Sequence, residues 1–69
     1  MKRTQAQNAY RDIEEMIVKL ELPPGSRISE KALSQQLGYG RTPVREALQR
    51  LAYARLVNIL PRAGAIVTE

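Results

Sequence analysis

Three short amphipathic helices followed by a small β-hairpin, a mainly α fold, are what this sequence of 69 residues predicts. Apolar residues recur at three- and four-residue steps in three separate stretches, which is helical spacing. Pro and Gly stand between those stretches as breaks. After Ala54 the period changes, and two β-rich runs flank a Pro/Gly turn.

The first stretch runs from Thr4 to Leu20, with Ala6, Ala9, Tyr10, Ile13, Met16, Ile17 and Leu20 along one face. Thr4 and Gln7 have the spacing of a capping box, and Glu15 with Lys19 forms a favourable i,i+4 pair. Pro23-Pro24-Gly25 ends this helix, because proline has no N–H and restricts the residue before it. Ser26, Arg27 and Ile28 then suit a short extended piece. Ser29 is the expected N-cap of a second helix over 30–37, with Ile28 and Leu33 as a hydrophobic staple across the cap. Ala32, Leu33 and Leu37 form its inward stripe, and Gly38 is a left-handed terminator. The third helix is expected over 43–54, with Thr42 as N-cap and Pro43 in the first helical position. Val44, Ala47, Leu48 and Leu51 face inward, while Arg41, Arg45 and Gln49 fall four apart on another face. The hairpin is expected over 57–68, around Pro61-Arg62-Ala63-Gly64.

A chain this short hides only about 60% of its unfolded surface, so its core is thin. It contains no Cys and no His, which removes disulfides, thiolate metal sites and the commonest catalytic base. No convergent set of carboxylates replaces them, so neither an enzyme nor a cofactor-binding domain is expected. Phe and Trp are also absent, which argues against an aromatic platform for single-stranded nucleic acid. No apolar run reaches the roughly 20 residues of a membrane span and no signal peptide opens the chain, so a soluble intracellular protein without membrane contact is expected. The net charge is +4, and between Lys31 and Arg62 six basic residues stand against one acid, Glu46. That bias points toward a polyanion as partner, although a solvated basic surface fits the charge alone.

Two short helices joined by a tight Gly turn, the second opening with basic residues, have the form of a helix-turn-helix, and the hairpin adds a wing. A recognition helix enters the major groove by its N-terminal end, so its first turn must carry side chains that reach base edges. Arginine suits this because its planar fork matches guanine O6 and N7. Arg41, Thr42 and Arg45 occupy that end, while Gln49 and Arg50 follow along the helix. Each has a plainer reading. The arginines fit a solvated face, with Arg50 paired to Glu46, and Thr42 fits a simple cap. Lys31 and Arg62 fit exposed positions on the second helix and the hairpin tip.

Leu22-Pro23-Pro24-Gly25, Ile28-Ser29-Glu30, Leu37-Gly38, Arg41-Thr42-Pro43-Val44-Arg45-Glu46-Ala47-Leu48, Arg50-Leu51 and Gly64-Ala65-Ile66-Val67 together resemble the N-terminal domain of the GntR family of bacterial regulators. The likeness covers nearly all of 10–67, and the string from Arg41 to Leu48 is most similar to the FadR-like branch. The resemblance implies a winged helix-turn-helix that binds a pseudo-palindromic operator in double-stranded DNA, usually to repress, in the bacterial cytoplasm. It implies a homodimer, with a small-molecule effector bound by a further C-terminal domain that this chain lacks. It assigns DNA contacts to Lys31, Arg41, Thr42 and Arg45, and a minor-groove approach to the wing around Gly64. The sequence departs from the family pattern at three places. Gly40 stands where Ser or Thr is common, which removes a side-chain phosphate contact. Arg55 replaces the Gly that closes the recognition helix, which implies an altered helix end. In the wing Ala63 takes the place of an Arg, and the arginine is Arg62.

A protein-interaction winged helix is the alternative class. It would lack the basic groove-facing residues that this chain carries as Arg41 and Arg45.

Overall fold

Thr4 opens the first helix, α1 (Gln5–Val18), in the computed structural model, which describes residues 2–62 and 64–69. The Thr4 hydroxyl accepts from the Gln7 N–H at 3.1 Å, and the Gln7 side-chain oxygen accepts from the Thr4 N–H at 2.8 Å. This reciprocal pair occupies two donors that a helix start otherwise leaves open. Ala9 and Ile13 are buried, and Glu15 pairs with Lys19 at 2.6 Å on the outer face. The helix stops at Val18, two residues short of the expected Leu20. Leu20 has φ 63, a left-handed conformation that turns the chain. The Leu22 N–H then reaches the Met16 carbonyl at 3.0 Å, which returns Leu22 to the core edge.

The short extended piece lies one residue later than expected, as β1 (Arg27–Ser29). Ser29 caps α2 (Glu30–Leu37) by accepting from the Ala32 N–H at 3.1 Å, and Ile28 and Leu33 are buried on either side of that cap. Gly38 has φ 80 and closes α2.

Helix α3 (Arg41–Tyr53) begins earlier than expected. Its N-cap is Gly40, with Arg41 as the first helical residue, so Thr42 is not the cap and Pro43 is not first. The helix tolerates this because Pro43 still lies in the first turn, where a backbone donor has no intrahelical acceptor.

The wing is part of a larger sheet. β2 (Val57–Leu60) and β3 (Gly64–Val67) pair antiparallel, and β1 joins the other side of β3, giving the order β1-β3-β2. The expected hairpin of β2 and β3 is present, and β1 adds a third strand to it. Ile28 lies opposite Ala65, and Val57 opposite Val67. All four are buried in one core with Val44, Ala47, Leu48 and Leu51 of α3 and with Ala9 and Ile13 of α1. Ser29 lies opposite Gly64, where a Cβ would stand 2.8 Å from the Ile28 carbonyl oxygen. That distance is too short for a real Cβ, so glycine is needed for β1 and the wing to pair.

The C-terminus of α3 is closed by Arg55 at φ 64. Its N–H reaches the Ala52 carbonyl at 3.0 Å, and the Leu56 N–H reaches the Leu51 carbonyl at 2.9 Å, a Schellman closure built without glycine. A left-handed conformation costs an L-residue about 1–2 kcal/mol, and glycine avoids this while gaining unfolded-chain entropy worth about 0.4–1 kcal/mol. Arg55→Gly should therefore raise stability by about 0.5–1 kcal/mol, read as a higher Tm by circular dichroism. An unchanged or lower Tm would show that Arg55 makes a compensating contact.

Candidate nucleic-acid interface

Helix α1 holds the turn between α2 and α3 from outside. The Tyr39 hydroxyl donates to Asp12 Oδ2 at 2.7 Å, and the Gly40 N–H donates to Gln5 Oε1 at 3.4 Å. The Asp12 bond, together with burial and the carboxylate's charge, raises the pKa of the Tyr39 hydroxyl. With Gly40 as N-cap, no side chain caps the first turn of α3.

Glu30, the first residue of α2, is the unexpected centre of this corner. Its side chain is 3% exposed, and both its oxygens are engaged. Arg45 Nε donates to Oε2 at 3.0 Å and Arg45 Nη2 to Oε1 at 2.8 Å. Arg41 Nε lies 3.5 Å from Oε1. A buried carboxylate avoids a large desolvation penalty only when it is paired and hydrogen-bonded, and two guanidinium groups meet that condition. The Arg45 hydrogen bonds hold the Glu30 carboxyl below its ordinary value of 4.5, against the upward push of burial. The same bonds raise the pKa of Arg45.

Arg41 and Arg45 are therefore not free solvated residues. Each keeps about half its side chain in solvent, 53% and 54%, while its head group is tied inward. Thr42 is exposed in the first turn of α3, and Lys31 is exposed in the first turn of α2. Gln49 is exposed one turn beyond Arg45, and the two line a cleft between α3 and the wing, with Leu60 and Pro61 opposite. Arg50 is exposed, and no ion pair among the described residues joins it to Glu46. Arg62 is exposed in the wing turn, and Ala63 lies outside the described residues. Half-buried Gly64 has the packing role described above.

Sequence reasoning missed Glu30, although a signal was available. It lies one residue before the stretch whose acids were counted, so its charge was left out of that count. It also missed Arg27, which shares a shallow cleft with Arg62 beside β1.

The model of the family described as bacterial regulatory proteins, gntR family, matches residues 5–67. The chain belongs to the GntR family. It is 41% identical over 67 residues to an uncharacterized HTH-type transcriptional regulator of Streptomyces ambofaciens, covering 97% of this chain and 28% of that protein. It is 38% identical over 63 residues to the HTH-type transcriptional repressor RspR of Escherichia coli, covering 91% of this chain and 28% of RspR. The structure of E. coli McbR/YncC superposes with a TM-score of 0.90 at 32% identity, over 99% of this chain and 32% of that one. The chain thus spans about 28% of the length of these curated relatives. The fold of this GntR domain is that of a winged helix-turn-helix, as expected from the sequence.

The ion pair makes the stability of the GntR domain acid-sensitive. A carboxyl whose pKa is lowered on folding stabilises the fold above its unfolded value, and that stabilisation is lost as pH falls through the folded value. Glu30→Gln keeps the shape and removes this dependence. The wild-type chain should exceed Glu30→Gln in stability by on the order of 1 kcal/mol at neutral pH, and the gap should close as pH falls below the unfolded value of about 4.5. Urea titrations at several pH values measure it. A gap that widens in acid would mean that Glu30 is not an ionised partner.

Proposed function

We propose that this domain reads an operator in double-stranded DNA, with α3 in the major groove and the wing against the backbone or minor groove. The supporting observation is the start of α3, where Arg41 and Arg45, one turn apart, stand half-exposed on one face. Arg45 is assigned to a base edge, guanine by chemistry, and Thr42 and Arg41 to the adjoining backbone. Lys31, Gln49, Arg50 and Arg62 extend the contact, and Gly64 lets the wing lie close to its neighbouring strand. Within the GntR family we assign the chain to the FadR-like branch, on the string Arg41-Thr42-Pro43-Val44-Arg45-Glu46-Ala47-Leu48.

On this reading the domain carries no cofactor and no catalytic step, and it acts in the bacterial cytoplasm as part of a homodimeric repressor. Effector binding belongs to a further C-terminal domain. RspR is named a repressor, which favours repression over activation. No helix among the described residues is long and apolar enough to cross a membrane.

The two kinds of arginine should separate experimentally. Arg45→Lys keeps the charge but loses the planar fork, so it should weaken operator binding by about 1–3 kcal/mol and relax selectivity at one base pair per half-site. Arg62→Ala should weaken operator and random duplex alike and lower the log–log salt slope by about one unit. Fluorescence anisotropy over a salt series measures both. Unaltered selectivity in Arg45→Lys, or duplex affinity that is flat with salt, would contradict this surface as the DNA-binding one.

A further inference from the structure

The function proposed above asks an arginine to discriminate between bases, yet a free arginine binds any phosphate. Its guanidinium carries five N–H groups, and phosphates along the duplex outnumber any one base edge. Discrimination requires that most of those orientations be unavailable. The contact with Glu30 supplies such a restriction. Arg45 meets the carboxylate through Nε and Nη2, the side-on edge of the guanidinium. The end-on pair, Nη1–H with the second Nη2–H, is left without a protein partner in that contact. Two parallel N–H groups at that spacing match the O6 and N7 acceptors of guanine.

We propose that Glu30 is a specificity-determining positioning residue, whose side-on hold on Arg45 leaves the end-on fork as the edge offered to a base. The inference rests on the DNA-reading role proposed for Arg45. Three features favour positioning over simple support. Glu30 is immobilised by burial, with 3% of its side chain exposed, so it is a fixed reference for Arg45. Arg45 is 54% exposed and so can reach outward while held. Arg41, 3.5 Å from the same carboxylate, shares its charge, so the cluster of three carries one net positive charge instead of two. That reduction weakens sequence-blind attraction while leaving the directed donors in place.

The test uses the 69-residue chain and a duplex enriched on the wild-type chain from a random-sequence library. Glu30→Gln and Glu30→Asp are compared with wild type on that duplex, on its single-guanine variants and on random duplex. Measurements are made at temperatures where circular dichroism shows each variant folded. Glu30→Gln removes the charge and one acceptor. It should weaken the enriched duplex about tenfold and tighten random duplex a few-fold, because the cluster gains a positive charge. Glu30→Asp keeps the charge but withdraws the carboxylate by one methylene. It should lose selectivity at a single guanine with random-duplex binding unchanged, and it decides the matter if Glu30→Gln does not fold. Enriched and random duplexes shifting by the same factor would overturn the proposal, because a purely structural role predicts that result. So would selectivity that does not change. Arg45→Lys, run in parallel, separates the two readings. If it retains selectivity, the DNA-reading role of Arg45 fails. If it loses selectivity while both Glu30 variants retain it, only the positioning role of Glu30 fails.

Discussion

A carboxylate taken out of water must be protonated or matched by positive charge, and everything at the recognition end of this domain is arranged around the second solution. Glu30 opens α2 and Arg41 opens α3, with Arg45 one turn further on. The pairing of Glu30 with Arg45 therefore ties the starts of two helices that the chain joins only through Gly38-Tyr39-Gly40. The hydrogen bonds from Tyr39 to Asp12 and from Gly40 to Gln5 hold that connection against α1. The turn is thus held by α1 through two hydrogen bonds and by the ion pair between the helices it joins.

The same residue couples the helices to the wing. Glu30 follows Ser29, and Ser29 lies opposite Gly64 in the sheet. The missing Cβ at Gly64 lets β3 approach the Ile28 carbonyl, so β1 becomes a third strand of the wing. One short segment, Ile28 to Glu30, therefore joins the core, the sheet and the arginine cluster. The side chains assigned to the major groove and those on the wing are carried by one frame.

Most of this fold was legible in the residues because its boundaries are set locally. Thr4 with Gln7, Ser29 and Gly38 act within a few residues, and each stands where sequence chemistry puts it. What escaped was set by contacts distant in sequence. The N-cap of α3 is Gly40 instead of Thr42, and the Gly40 N–H donates to Gln5, 35 residues away, a contact no local pattern encodes. The strand at Arg27–Ser29 joined the wing because of a close approach to Gly64, which no local pattern encodes. The candidate site was legible as a set of basic residues and illegible in its arrangement. Arg41 and Arg45 looked like exposed charges, and only the fold brings Glu30, 15 residues before Arg45, beneath them.

Direct observation of the carboxylate tests this account most closely. Carbon-13 NMR titration of the Glu30 side-chain carboxyl in the folded chain reads its protonation without a mutation. If the arginine pair holds the corner together, the resonance should titrate below the ordinary value of 4.5, and Arg45→Lys should move it upward. A Glu30 midpoint at or above 4.5 in the folded wild-type chain would contradict it, because the arginines would then not outweigh the cost of burying the charge.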